Sequence, residues 1–504
     1  MRSKNAFRNL LFYLIYEVLC FILGIIFPRF IIHAYGSEIN GLTSTITRIL
    51  SLINLIQAGA VGTAIYQMYK PVVEKDYDKQ SAIIYSSRRF YNKVSALYLV
   101  IALSAGIFYG FYLKSGNLSF VEIFLSFVIL ALNGTSMLLF NTICDIFVSS
   151  HQKRYFLSIA SICEIVLRYG FLSIVLLLKL HFIFIYVCYL VGGLGSVIIN
   201  YSIYKHMSKK IITKDPTDKS FKIPDRKYLM LSSIGSEMVL ASPTIIITTF
   251  IDLVNSSIFS IYAMIFTSLK TILNSIQLSF SAIFGNLTKT ADDSKIYEVY
   301  SAIELLTIFI GTISSCCVGF LIIPFINIYT LGFDTNYLFV NLAFFVVAYV
   351  LFFTFRTSFA YVATVYGLFK QTCKITLAFG IIGIVISAFC AIIFGMPYVM
   401  VGILFNEAGS GITTLIVMKK KISWFRFKRL LVRSGVMLSL TILSMGLFFI
   451  INPAINRWYL WVAYAFVVAL TTLIVFSLYC LAFEKKYVSM YFNYVKALFR
   501  KRTN

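Results

Sequence analysis

Apolar runs of membrane-crossing length recur from one end of this 504-residue chain to the other, and nothing else in it restricts the fold as strongly. About 20 consecutive apolar residues in a helix cross the hydrocarbon core of a bilayer, where every backbone polar group must be satisfied within the segment. Fourteen such runs can be marked, at 9–33, 41–69, 92–113, 119–149, 156–178, 182–204, 229–251, 256–284, 299–325, 336–364, 376–395, 398–418, 434–453 and 458–482. The first is too long for a signal-peptide core and lacks a small-residue cleavage site, so it reads as a retained span. Composition agrees, with 59% hydrophobic and 13% charged residues, against about 25% charged in an ordinary soluble chain. The expected fold class is an all-α polytopic membrane protein.

An even number of spans puts both termini on one side, and the basic residues choose that side. With the N-terminus inside, the inner segments hold 36 of the 44 lysines and arginines. The outer ends and loops hold only Arg29, Lys114, Lys179 and Arg457, while Arg48, Arg168, Lys270 and Arg356 fall within spans. This asymmetry predicts cytoplasmic termini. The net charge of +24 is then mostly an orientation device helped by anionic lipid. It is divided among short loops, which argues for membrane lipids as partners and against nucleic acid. Short loops also leave no domain in which catalysis could be housed, so an enzyme is not expected, and a membrane glycosyltransferase, polymerase or ligase is disfavoured. The nine cysteines (Cys20, Cys144, Cys163, Cys188, Cys316, Cys317, Cys373, Cys390 and Cys480) sit in or beside apolar runs without CxxC spacing and read as packing residues. The four histidines form no cluster, so neither a metal site nor a cofactor is expected.

The basic, proline-containing stretch 205–228 divides an N-terminal lobe of six spans (1–204) from a C-terminal lobe of six (229–418). A basic loop (419–433), two appended spans (434–482) and a basic tail (483–504) follow. SLINLIQAG (51–59) and TILNSIQLS (271–279) share Asn54/Asn274, Ile56/Ile276 and Gln57/Gln277, one six-span unit apart. Six is even, so such a repeat would be parallel.

Charge inside a bilayer costs roughly 2.5–3.5 kcal/mol per residue and so marks function. Ser44, Thr47, Arg48, Ser51 and Asn54 fall on one face of a helix, away from Ile46, Ile49, Ile53 and Ile56. Six spans later Thr267, Lys270, Asn274, Gln277 and Ser281 form a similar stripe, with no acid within one turn of Lys270. Two such stripes suggest the walls of an aqueous cleft; helix–helix hydrogen bonding is the alternative for their neutral members. Glu164 and Arg168 have the i, i+4 spacing of an intrahelical pair, or Glu164 holds Arg168 toward the cleft. Glu17, near Tyr13, and Glu237, near Ser233 and Ser236, either neutralise Arg48 and Lys270 or titrate as coupling sites. Arg356 and Glu407 (on a stripe with Ser410 and Thr414) are further candidates, with snorkelling the alternative for Arg356. Pro243 interrupts the seventh span, as a hinge or a static kink.

The block YGSEINGLTSTITRILSLINLIQAGAVGTAIYQMYKPVVEKD (35–76) resembles the signature of Gram-positive and Bacteroidetes Wzx-type polysaccharide flippases, of the multidrug/oligosaccharidyl-lipid/polysaccharide exporter superfamily. SIFSIYAMI (257–265), SAIFGNL (281–287) and RTSFAYVATVYGLFKQT (356–372) resemble later blocks in the same order. The resemblance implies two six-helix lobes in a V around a central cleft, with two extra C-terminal helices. It implies a bacterial inner-membrane flippase carrying undecaprenyl-pyrophosphate-linked oligosaccharide outward for O-antigen or capsule assembly, with a polymerase and chain-length machinery as candidate partners. Arg48, Lys270, Arg168 and Arg356 would then hold the pyrophosphate, and Ser44, Ser51, Asn54, Asn274 and Gln277 the sugar hydroxyls. Members commonly carry acids where this chain has Gln57 and Ala241–Ser242–Pro243. If an H+ or Na+ gradient drives transport, Glu237 is the candidate replacement, beside Glu17, Glu164 and Glu407. A multidrug or metabolite ion antiporter of the same superfamily is the rival reading.

Overall fold

The computed structural model describes residues 2–55, 60–113, 118–209, 211–212, 226–451 and 455–490. These residues form fifteen α-helices and no strand: α1 (Arg2–Asn54), α2 (Ala60–Glu74), α3 (Tyr77–Tyr112), α4 (Phe120–Ser136), α5 (Thr142–Ser150), α6 (Tyr155–Leu177), α7 (Ile183–Ser208), α8 (Arg226–Phe250), α9 (Leu253–Thr290), α10 (Asp293–Tyr329), α11 (Val340–Val365), α12 (Phe369–Phe394), α13 (Met400–Lys421), α14 (Phe427–Ile451) and α15 (Trp458–Phe483). Eleven helical stretches among the described residues are long and apolar enough to cross a membrane. They carry large apolar side chains outward, such as Leu177 at 81% and Phe483 at 77% exposure, as lipid-facing helices do. The expected all-α polytopic class is therefore what the chain adopts.

The break expected between the first two spans falls at Gly36, whose non-helical φ of 85° and ψ of 170° only glycine adopts readily, so the two helical segments of α1 follow each other directly and count once among the eleven. Residues 56–59 of the second expected span and 452–453 of the thirteenth lie outside the described set, as do the side chains at the start of the seventh. The helices also outrun the bilayer. Much of the expected inner connection at 70–93 is helical, turned at Lys75 (φ 56°) and capped by the Asp76 side chain accepting from the Lys79 N–H. Gln80 donates to the Pro71 carbonyl at 3.0 Å, closing that corner. Below it, Ile83, Tyr91, Ile143 and Phe147 pack with Ala60 and Met68 in a satellite core.

Two compact units divide the chain, Met1–Ser260 and Ile261–Asn504. In the first, the main core gathers Leu42, Ile46, Ile49 and Ile53 of α1 with Tyr98, Phe127, Leu172 and Tyr186. A π-helical turn, Met137–Asn141, joins α4 to α5; such bulges are frequent at functional sites. The second unit's core runs from Tyr300 and Tyr361 through Trp424 to Phe476 and Tyr487, so α14 and α15 pack into it.

Candidate functional site

The α1 stripe forms as its periodicity predicts. Leu42, Ile46, Ile49 and Ile53 are buried, while Ser44, Thr47, Arg48 and Asn54 are half-buried and Ser51 exposed. Thr47 and Ser51 donate back to carbonyls of their own helix, Thr43 at 2.9 Å and Arg48 at 2.8 Å. On α9, Thr267 does the same to Ala263 at 2.6 Å, and Lys270, Asn274 and Gln277 are half-buried. Arg48 belongs to the first unit and Lys270 to the second. Gln57 lies outside the described residues, as do the side chains of Glu237, Ser233, Ser236 and Ser281.

Arg168 and Arg356 are each joined to an acid. Arg168 donates to Glu164 as the i, i+4 spacing predicts, and its guanidinium lies 4.7 Å from the centre of the Tyr189 ring. Gly192 of α7 makes room, since a Cβ there would stand 2.8 Å from the Glu164 carbonyl oxygen. Arg356 donates through Nε to Glu407 Oε2 at 2.5 Å and through NH2 to Oε1 at 3.4 Å. Its aliphatic stem lies over Gly411, where a Cβ would stand in ordinary contact with it at 3.7 Å. Both arginines thus carry their own counter-charge. Glu17 has Tyr13 as a side-chain partner one turn away.

A cavity of about 500 Å³ lies inside the first unit. Asn54 and Glu164 line it with Asn141, Asn200, Ser196 and Asp145. Asn141, Ser196 and Asn200 form a network, in which Asn141 Nδ2 donates to Ser196 Oγ at 3.3 Å and Asn200 Nδ2 to Asn141 Oδ1 at 3.2 Å, while Asp145 Oδ1 separately accepts from Ser149 Oγ at 2.5 Å. The Oδ1 atoms of Asn54 and Asn200 are buried with no hydrogen-bond partner among the described residues. Such atoms cost about 1–3 kcal/mol unless something else satisfies them. Reading stripes one helix at a time overlooks Asn141 and Asn200. Their signal was the i, i+4 pair Ser196/Asn200 and an asparagine inside an otherwise apolar FNTIC segment.

Two further polar clusters also went unread. Asn40 donates to Ser257 at 2.8 Å and Ser260 at 3.2 Å, and Thr45 pairs with Thr248 at 2.5 Å and Ser256 at 3.2 Å. This ladder fastens α1 to the end of α8 and the start of α9 within the first unit. In the second unit Arg433, counted above among cytoplasmic loop charges, is 1% exposed. It donates to Glu484 at 2.6 and 2.8 Å, to Glu304 at 3.2 Å and to the Ser301 carbonyl at 3.0 Å. Burial alone would push the Glu484 carboxyl up, but hydrogen bonds and charge from Arg433 and Arg429 hold it below the ordinary carboxylate value.

No family model and no curated protein matches the chain. Solved structures do. The lipid II flippase MurJ in an inward closed conformation superposes with a TM-score of 0.63 at 16% identity, over 94% of this chain and 99% of that one. An inward-facing multidrug resistance MATE family transporter of the MOP superfamily gives 0.62 at 12% identity, over 81% and 94%. A MATE in complex with MaL6 gives 0.54 at 14%, over 84% and 96%. At these identities the likeness is one of fold alone, which the chain shares with these solved structures.

Proposed function

We propose that this chain is a flippase that moves undecaprenyl-pyrophosphate-linked oligosaccharide from the inner to the outer leaflet of a bacterial inner membrane, for O-antigen or capsule assembly. Transport would proceed by alternation between inward- and outward-open states. The observation that carries the reading is a cation on the polar face of α1, Arg48, whose opposite face is fully committed to the core. The sequence block around it supports a polysaccharide-exporter assignment, and the fold likeness to the lipid II flippase supports a lipid-linked substrate.

Arg48 and Lys270 bind the pyrophosphate, whose charges suit a cationic cleft of low dielectric. Arg168 and Arg356 are already neutralised by Glu164 and Glu407, so their contribution is hydrogen bonding and shape more than net charge. Ser44, Ser51, Asn54, Asn274 and Gln277 bind sugar hydroxyls. An H+ or Na+ gradient drives the cycle through Glu17, Glu164, Glu237 or Glu407. Arg48→Gln with Lys270→Gln should abolish surface polysaccharide at normal protein level; wild-type export would reject the assignment of these two residues. The second reading, multidrug antiport, is favoured by the MATE fold likeness. Ion-gradient-dependent efflux of a cationic dye from vesicles would establish it instead.

A further inference from the structure

The cavity of the first unit meets the α1 stripe at Asn54, and the rest of its lining has a different chemistry. Its lining comes from Tyr13 and Tyr16 of α1, from the α5 segment beside the π-helical turn, from the first turns of α6 and from Asn200 near the end of α7. These are the helix ends that the positive-inside rule assigns to the cytoplasm. About 500 Å³ is far more than the roughly 30 Å³ share of one water and lies within the range of small-molecule sites. It is too roomy for a bare cation.

The acids at the site are already engaged. Glu164 is held by Arg168, Asp145 accepts from Ser149, and Arg154 stands on the wall beside them. Beside Arg154, what the wall offers a ligand is neutral and doubly functional: amides, serine hydroxyls and two tyrosine rings. Asn200 is 4% exposed and presents an unpartnered Oδ1, and Asn54 presents another. Acceptors and donors interleaved at hydrogen-bond spacing, with flat rings nearby, fit a polyhydroxylated ring.

We propose that this cavity is a carbohydrate subsite that takes one or two sugar residues of the lipid-linked substrate on its cytoplasmic side, with Asn54, Asn141 and Asn200 as its hydrogen-bonding floor. The inference rests on the flippase reading and adds to it a place where the sugar is read separately from the pyrophosphate. The full chain in phosphatidylglycerol nanodiscs would be titrated with undecaprenyl pyrophosphate and with the same lipid bearing one N-acetylglucosamine. Wild type should bind the sugar-bearing lipid roughly tenfold more tightly. Asn141→Leu/Asn200→Leu removes the floor, and Ser161→Phe fills the cavity while leaving the asparagine network intact. Each should cut that gain to less than about twofold.

A gain that survives in both variants, or wild-type binding of the two lipids with equal affinity, overturns the subsite and leaves the flippase reading standing. Failure of wild type to bind either lipid removes the flippase reading and the subsite together. A Na+-dependent tyrosine fluorescence change lost in both variants, with the sugar gain unaltered, would make the cavity an ion site and also overturn the proposal.

Discussion

Arg433→Met leaves Glu304 and Glu484 facing each other's buried surroundings without their shared cation. The three side chains are 2%, 3% and 7% exposed, so water cannot screen the loss. Removing one member of a buried ion cluster costs about 3–5 kcal/mol, whereas replacing the whole cluster with apolar groups is often neutral. At roughly 2–4 °C per kcal/mol for a unit of this size, the unfolding midpoint should fall by about 6–20 °C. All three tryptophans, Trp424, Trp458 and Trp461, lie in the second unit, and Trp424 shares the core that contains Tyr487. A thermal ramp read by intrinsic fluorescence in detergent therefore reports on the right region. The triple variant Arg433→Met/Glu304→Leu/Glu484→Met should recover more than half of the loss. A single-variant shift below about 2 °C, or a triple variant worse than the single, would refute the reasoning.

Glu484→Gln should matter less in acid. The depressed native carboxyl contributes stability that is complete above its ordinary value of 4.5 and is lost as pH falls through the lower native value. The gap in melting temperature between wild type and variant should therefore narrow on acidification, and a widening gap would contradict this. Arg356→Met strands the Glu407 carboxylate, 5% exposed, and should lower the midpoint; Arg356→Met/Glu407→Met should restore most of it. Gly36→Ala places a Cβ on a backbone at φ 85° and ψ 170°, and should cost about 1–3 kcal/mol in the same thermal assay.

Where partners are close in the chain, the architecture was legible. Buried isoleucines every three or four residues announced the inner face of α1, and four-residue spacing announced Glu164–Arg168. Arg356 and Glu407 are 51 positions apart, and Arg433 is 129 from Glu304; no local pattern links them. Position also misleads: Arg433 stands at the end of a basic loop, yet packing of α14 on α10 takes it out of water. Hydropathy marked a break between residues 33 and 41, and the backbone leaves helical geometry there at Gly36. The cavity depends on six helices meeting around a π-helical turn, which registers in neither hydropathy nor charge.

The most direct test of the flippase reading uses the purified chain in vesicles holding a fluorescent undecaprenyl-pyrophosphate oligosaccharide. The quantity measured is the rate at which the sugar becomes accessible to a membrane-impermeant quencher across the bilayer. Wild type should far exceed protein-free vesicles, and Arg48→Gln/Lys270→Gln should slow transfer by at least about tenfold. Wild-type transfer no faster than protein-free vesicles, or a double variant as fast as wild type, would contradict the account.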